Sequence, residues 1–420
     1  MSRIFYDIFL RLFLLGARIK SLWDTKAGLW LSGRRGIYER IGSASGESGG
    51  KCIWMHCASL GEFEQGRPLL EELQHVYPDC RIVLSFFSPS GFEAMKEYKG
   101  AGTVTYLPMD SSTNAKTFIN SINPSLVIWV KYEFWYYYLH ELKVRNIPVV
   151  LVSGIFRAGQ PFFRGYGGIW RKMLGCFSHY FVQDENSVKL LAGISVNKGV
   201  TLNGDTRFDR VLDIVRHFEQ VPFISDFCGE SRVIVAGSTW EEDEIELLHY
   251  VKTHPEIKFI IAPHEIDRTN LDKVKGEFIN SVFYSELTND LPLQQNDVHV
   301  LIIDNIGMLS RIYWYASITY IGGGFGTAGV HNVLEAAVYG KPVIFGPEYD
   351  KYIEAAGLVK AGGAISFNHP LGLEEILENL FEDENELIKM GEASRNFVAS
   401  RQGATRKIID YIQVNRLLTN

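Results

Sequence analysis

Five stretches combine residue types that can do chemistry, and each follows an apolar run. The first is HCASLGEFEQG, residues 56–66, where Glu62 stands at the start of a helical pattern just past the run CIWM. A carboxylate in a water-poor cleft can take a proton from an attacking hydroxyl, and desolvation raises its pKa toward that task. Position alone fits a plainer role equally well, an acid that complements the positive end of a helix. Glu64 is an alternative acid, pointing about 200° away around the helix. Ser59 and Gly61 form the turn before it, and Ser59 lacks the Gly-x-Ser-x-Gly surround of a nucleophile elbow.

The other four stretches follow residue 230. VIVAGSTWEEDE runs through Gly237, Ser238 and Thr239 into a helix beginning near Trp240, offering N–H and hydroxyl groups to an anion such as a phosphate. IIAPHEIDR sets Pro263 and His264 at a strand end, and IIDNIGML sets Ile306, Gly307 and Met308 before a helix. YIGGGFGTAGVHNVLEAAVYGKPVIFGP joins Gly322, Gly323 and Gly324 to a turn at Gly329 and a helix holding Asn332, Val333, Leu334 and Glu335. Glycines permit close backbone approach, and Glu335 is placed to accept from two neighbouring hydroxyls, as on a ribose. Each piece alone is weak, but their succession at strand ends points to a nucleotide site. No Asp-x-Asp pair stands in such a loop, so neither metal nor cofactor is expected; Asp205 and Asp209 of GDTRFD are too isolated to argue from.

Two series of near-continuous Val/Ile/Leu runs must position these loops. CIWMHC, RIVLSFF, TVTYLP, LVIWV, PVVLVSG, YFVQ and VTLNG make the first; RVIVAGS, KFIIAPH, VHVLIID, ITYIGGG, PVIFGP and AISF make the second. Runs that do not alternate with polar residues indicate strands buried on both faces, and strands alternating with helices give parallel, doubly wound sheets. The expected fold class is therefore α/β, two doubly wound Rossmann-like domains facing across a cleft, with ligands beyond the carboxyl ends of the strands. The expected division is 1–40 as a membrane-associating basic and apolar segment, 41–218 as an acceptor-binding domain and 219–228 as a linker. Residues 229–400 form the nucleotide-sugar domain, and 401–420 a C-terminal helix that packs back on the N-terminal domain.

Length and composition agree: 420 residues, 46% apolar and 22% charged, suit two ordinary globular domains. A net charge of −7 argues against nucleic acid as a partner. Five scattered cysteines with no CxxC pair read as reduced thiols. The N-terminal IFYDIFLRLFLLGARIKSLW is interrupted by Asp7, Arg11 and Arg18, which share a helical face, so it is no uninterrupted span. Its remaining face of Ile4, Ile8, Phe9, Leu12 and Leu15, trailed by Lys20, Lys26, Arg34, Arg35 and Arg40, fits an anionic cytoplasmic membrane surface. The plainer reading is a helix packed on the body of the protein.

HCASLGEFEQ, SFFSPSGFE, PSLVIWVKYEFW, GDTRFD, GSTWEEDE, NIGML, YIGGGF and GVHNVLEAAVYGKPVIFGP occur in an order that resembles the 3-deoxy-D-manno-octulosonic acid (Kdo) transferases. The resemblance spans residues 52 to about 348. It implies a two-domain glycosyltransferase of GT-B type at the inner membrane, a CMP-Kdo donor and a lipid A precursor as acceptor. It places the family's catalytic base on Glu62 and its CMP-binding segments on Pro263 and His264, on Ile306 to Met308, and on Asn332 to Glu335. Ser59, Gly61, Glu133, Gly323 and Gly324 are expected in support. Three positions depart from the family: Pro-Arg-His reads Pro263-His264-Glu265, an acidic position is Met308, and Glu-Thr-Glu becomes KYE, with Lys131 for the first acid and Glu133 keeping the second. The expected reaction is inverting transfer with one carboxylate acting and CMP met by helix N-termini at Ser238, Gly307 and Asn332. The alternatives are another nucleotide-sugar enzyme of the same architecture, such as an epimerase, and a nucleotide-sugar-binding protein without turnover.

Overall fold

The seven apolar runs of the first series form seven strands: β1 (Cys52–Cys57), β2 (Arg81–Phe86), β3 (Thr103–Tyr106), β4 (Leu126–Val130), β5 (Val149–Gly154), β6 (His179–Val182) and β7 (Val200–Leu202). The second half supplies β8 (Val233–Thr239), β9 (Lys258–Pro263), β10 (Ser281–Phe283), β11 (Val300–Ile302), β12 (Ile318–Ile321), β13 (Val343–Phe345) and β14 (Ala364–Ser366). The computed structural model describes residues 3–44, 50–131, 133–197, 199–287, 298–327 and 329–418. Among the described residues every strand pairing is parallel, as burial on both faces requires. In β1, Cys52 and Trp54 pack into one core while Ile53 and Met55 pack into the core on the other face.

Sheet order decides where ligands go. The first sheet runs β3-β2-β1-β4-β5-β6-β7 and the second β10-β11-β9-β8-β12-β13-β14. In each, connections leave in opposite directions from one central pair, β1/β4 and β8/β12, which opens a crevice beyond the carboxyl ends of that pair. The stretches around Glu62 and Glu133 follow β1 and β4; those of Trp240 and Gly323 follow β8 and β12.

The chain divides into two units, Met1–Arg210 with Gly403–Asn420, and Val211–Gln402. Residues 219–228, read from sequence as a linker, belong to the second unit and carry a helix, Ile224–Cys228, whose Ile224 and Phe227 are buried. In the first unit, the helix Ala404–Val414 buries Ile408, Ile409 and Ile412 in the core formed with the helix Leu60–Val76. GDTRFD fastens it: Asp209 accepts from the N–H groups of Gly403 (2.5 Å) and Thr405 (2.6 Å), and Asn203 donates to the Ala404 carbonyl at 3.1 Å. Asp205 is taken up by the Arg207 guanidinium at 2.8 Å.

The N-terminal helix Arg3–Lys20 packs on the first unit through Tyr6 and Leu10. Tyr6 donates to Asp110 at 2.7 Å, and Asp7 accepts from Tyr137 at 2.6 Å, so the acidic end of the charged stripe is turned toward the protein. No helix of the described residues is long and apolar enough to cross a membrane.

Candidate functional site

In the first unit, β1 delivers His56 and Ala58 to the crevice, and the next helix opens after Ser59. Glu62, 8% exposed, turns back so that its Oε2 accepts the Ala58 N–H at 2.5 Å. Gly61 is open, while Glu64 lies outside with Arg67 at 4.0 Å. The geometry thereby separates the two acids that sequence left open. Lys131, directly after β4, holds a left-handed φ of 58°, the kind of backbone strain found at functional strand ends. Beyond it Glu133 is largely enclosed, and its Oε2 is buried with no hydrogen-bond partner. Burial first, then the neighbouring Glu62 charge, push the Glu133 carboxyl up to about 8, against the pull of Trp135 and Arg34.

The two carboxyls stand in different surroundings. Glu133 carries a proton at neutral pH, and Glu62 is the member held by a backbone donor. His56, near the end of β1, lies with its ring 4.6 Å from that of Trp129 on β4. Its Nδ1 lies 2.9 Å from Ser85 Oγ, and burial drives it down to about 3, so it is neutral. The Arg34 guanidinium donates to the carbonyls of Trp30, Phe87 and Leu107 and lies 3.8 Å over the Trp30 ring; burial lowers it to about 9.

In the second unit, three rings converge at the β8/β12 reversal. Trp240 follows β8, His264 follows β9 and His331 follows the glycine loop after β12. Trp240 Nε1 donates to His331 Nε2 at 2.9 Å, and His264 stacks on both, with centroids 4.5 Å from each. Burial, aided by His264, pushes His331 down to about 4. Its Nε2 is the acceptor, so Nδ1 bears the proton. Asp243, buried, holds the surrounding backbone by accepting from Trp240 N (2.9 Å), Gly323 N (2.8 Å) and the Tyr320 hydroxyl (2.8 Å). Neither Trp240, His331 nor Asp243 was singled out from sequence, although all three stand inside the stretches that were.

The remaining residues divide by what they can offer. Asn332 donates to Glu335 Oε1 at 2.9 Å, and both are half-buried. Val333 and Leu334 are core residues with no exposed surface, so only their backbone can meet a ligand. Pro263 ends β9 and is buried. Ile306 is 86% exposed, Gly307 takes φ 97°, and Met308 turns into the core. This loop follows β11, two strands from β8; beyond it, burial and then the Glu335 charge push up the hydroxyl of Tyr313.

Two expectations about phosphate change. Ser238 lies inside β8 at φ 56°, not at a helix start, and the following helix opens with Glu241, Glu242, Asp243 and Glu244, which offset its positive end. The helices after Gly307 and Asn332 are only four residues long, Leu309–Ile312 and Leu334–Ala337. The glycines permit close approach between backbones of the protein itself: a Cβ on Gly324 would stand 2.5 Å from Gly346 N.

Two Rossmann-like units, each with polar and ring-bearing loops at the reversal of strand order, define a two-domain α/β fold of GT-B type. The fold is shared over 86% of this chain with UDP-GlcNAc 2-epimerase from Neisseria meningitidis bound to UDP-GlcNAc, covering 99% of that chain with a TM-score of 0.60 at 15% identity. It is shared likewise with the S. aureus MnaA-UDP co-structure, over 88% of this chain and 97% of that one, with a TM-score of 0.58 at 14% identity. Residues 34–210 match the family model described as 3-deoxy-D-manno-octulosonic-acid transferase (kdotransferase). The chain is 28% identical to the 3-deoxy-D-manno-octulosonic acid transferase of Haemophilus influenzae, covering 86% of each. It is 27% identical to that of Rickettsia felis, covering 86% of this chain and 78% of the relative. Over residues 34–210, and along most of its length in the two relatives, the chain is similar to the Kdo transferases.

Proposed function

We propose that the chain transfers Kdo from CMP-Kdo to an acylated lipid A precursor of the lipid IVA type, with inversion, in lipopolysaccharide core synthesis. The reading rests on one observation above the others: Glu62 is buried at the strand-order reversal of the first sheet, inside the stretch that carries the family resemblance. An acceptor hydroxyl gives its proton to Glu62 as its oxygen bonds to the anomeric carbon of the donor. The bond from that carbon to the phosphate oxygen breaks, and CMP leaves with the electron pair. A protonated Glu133 keeps a second negative charge away from the attacking oxygen. Pro263, His264, the loop Ile306–Met308 and residues Asn332–Glu335 hold CMP. The His264–His331 rings, rather than the acidic helix start after β8, meet its phosphate, and no metal takes part.

The acceptor is a lipid, and the outer face of the N-terminal helix suits one. Ile4, Phe5 and Leu12 are each more than 60% exposed, as are Leu22 and Trp23 just beyond. With Lys20, Lys26, Arg35 and Arg40 following, this face lies on the cytoplasmic leaflet of the inner membrane. Phe5→Glu with Leu12→Glu should release the protein from anionic liposomes while leaving Tyr6 and Leu10 packed; unchanged sedimentation rejects membrane attachment by this face.

Incubation with CMP-Kdo and lipid IVA, read by product mass, tests the reaction. Addition of one or more Kdo masses is expected, and its absence rejects the reading. Conversion of a UDP-sugar without transfer would instead favour an epimerase.

A further inference from the structure

A cavity of about 550 Å³ opens at the amino-terminal edge of the second sheet, the edge away from Trp240 and His331. Arg232 enters it directly before β8, Ser317 directly before β12 and Lys341 two residues before β13; Arg395 reaches it from the helix Glu384–Ala399. The Arg395 guanidinium lies against Gly340, φ 70°, where a Cβ would stand 2.8 Å from Nη2. Arg232 lies 4.9 Å over the Phe381 ring. Glu384 and Glu392 line the same cavity, yet among the described residues no ion pair joins any of the three cations to a carboxylate.

Three converging cations without anionic partners are electrostatically unfavourable, and a bound anion removes the conflict. Lys341 shows the strain. It is half-buried, and burial, with Arg395 adding to it, holds its ammonium below the usual lysine range. The planar guanidinium forks match phosphate oxygens, Lys341 supplies a point charge, and Ser317 Oγ accepts from Val233 N while keeping its own proton to donate. Leu380 and Phe381 form an apolar wall suited to the organic part of an ester, and the volume is that of a small-molecule site. The two glutamates disfavour a polyanion such as nucleic acid and favour one compact group.

We propose that this cavity binds a phosphate monoester through Arg232, Lys341 and Arg395, at a site separate from the nucleotide loops. Thermal melting at constant ionic strength tests it with inorganic phosphate and with soluble dihexanoyl phosphatidic acid, whose headgroup carries the same chemistry on a lipid. Inorganic phosphate should raise the melting temperature of the full chain progressively, as mass action requires, and the rise should vanish in Lys341→Met/Arg395→Gln. The unliganded variant should melt no lower than wild type, because a like-charge contact is gone. Should it misfold, Arg232→Gln at the exposed rim should still reduce the phosphate-induced rise at least twofold. A rise with the lipid alone, lost in the variant, assigns the site to a headgroup; a rise with both assigns it to phosphate esters generally. No rise with either probe, or a rise that persists in the variants, overturns the proposal.

Discussion

At the reversal of the first sheet stand acids, Glu62 held by a backbone N–H and Glu133 buried without a partner for Oε2; at the reversal of the second stand rings, Trp240, His264 and His331. The two crevices arise from the same topology, yet one is equipped to move a proton and the other to grip a planar or anionic group. Shared architecture thus fixes where chemistry can occur, while in the proposed transfer the side chains decide which half each unit performs. A carboxyl beside a carboxylate is tuned by burial and repulsion. The ring cluster is tuned by burial and by the neighbouring His264, which leave His331 neutral near pH 7.

The comparison breaks most sharply at Glu62. Glu62→Gln should lower transfer by about 10²–10⁴-fold, the usual range for a positioned general base, with CMP binding unchanged. Near-wild-type turnover would remove it from the chemistry. His331→Ala should act in the opposite sense, weakening CMP binding by roughly tenfold through loss of a stacked ring and its hydrogen bond, with little change in saturated rate. Calorimetric titration with CMP separates the two outcomes.

Asp209→Ala should lower stability by about 1–2 kcal/mol, because it leaves two helix-start N–H groups without their acceptor. Urea unfolding of both proteins reads the difference, and an equal midpoint would show that water replaces the carboxylate. Glu133→Gln is subtler. The folded-state pKa of Glu133 is raised, so its proton stabilises the fold at low pH and that contribution is lost as pH rises from its ordinary value of 4.5 through about 8. Glu133→Gln should therefore gain a few kcal/mol, at most roughly 4–5, at pH 8.5 and almost nothing below pH 4.5, with transfer at pH 7 kept within a few-fold. A loss as large as that of Glu62→Gln would exchange the roles of the two acids. Smallest of all, EDTA should leave transfer unchanged, whereas loss rescued by magnesium would place a cation at the departing phosphate.

Much of this was legible before any coordinates. Unbroken runs such as LVIWV and VIVAGS announced strands covered on both sides, and all seven strands of the first sheet fall on such runs. β10 did not announce itself, because SVF is three residues long and sits in polar surroundings. Glu62 was legible as a strand-end acid, but its separation from Glu64 needed the helix to show which one turns inward. The ring cluster was hidden because its members come from three separate loops, and no spacing along the chain marks residues 240, 264 and 331 as neighbours. The acidic first turn after β8 was visible as EEDE; its consequence for phosphate emerged only once that turn proved to be the start of the helix.

One connection has a temporal meaning. The strands of the first sheet are all made before residue 210, yet Ile408, Ile409 and Ile412 complete its core after the whole second unit has been synthesised. A nascent chain therefore carries the helix Leu60–Val76 with one flank uncovered through nearly two hundred further residues of translation. An early stop codon near the C-terminus would injure the unit made first, and chaperone dependence should concentrate on that waiting flank.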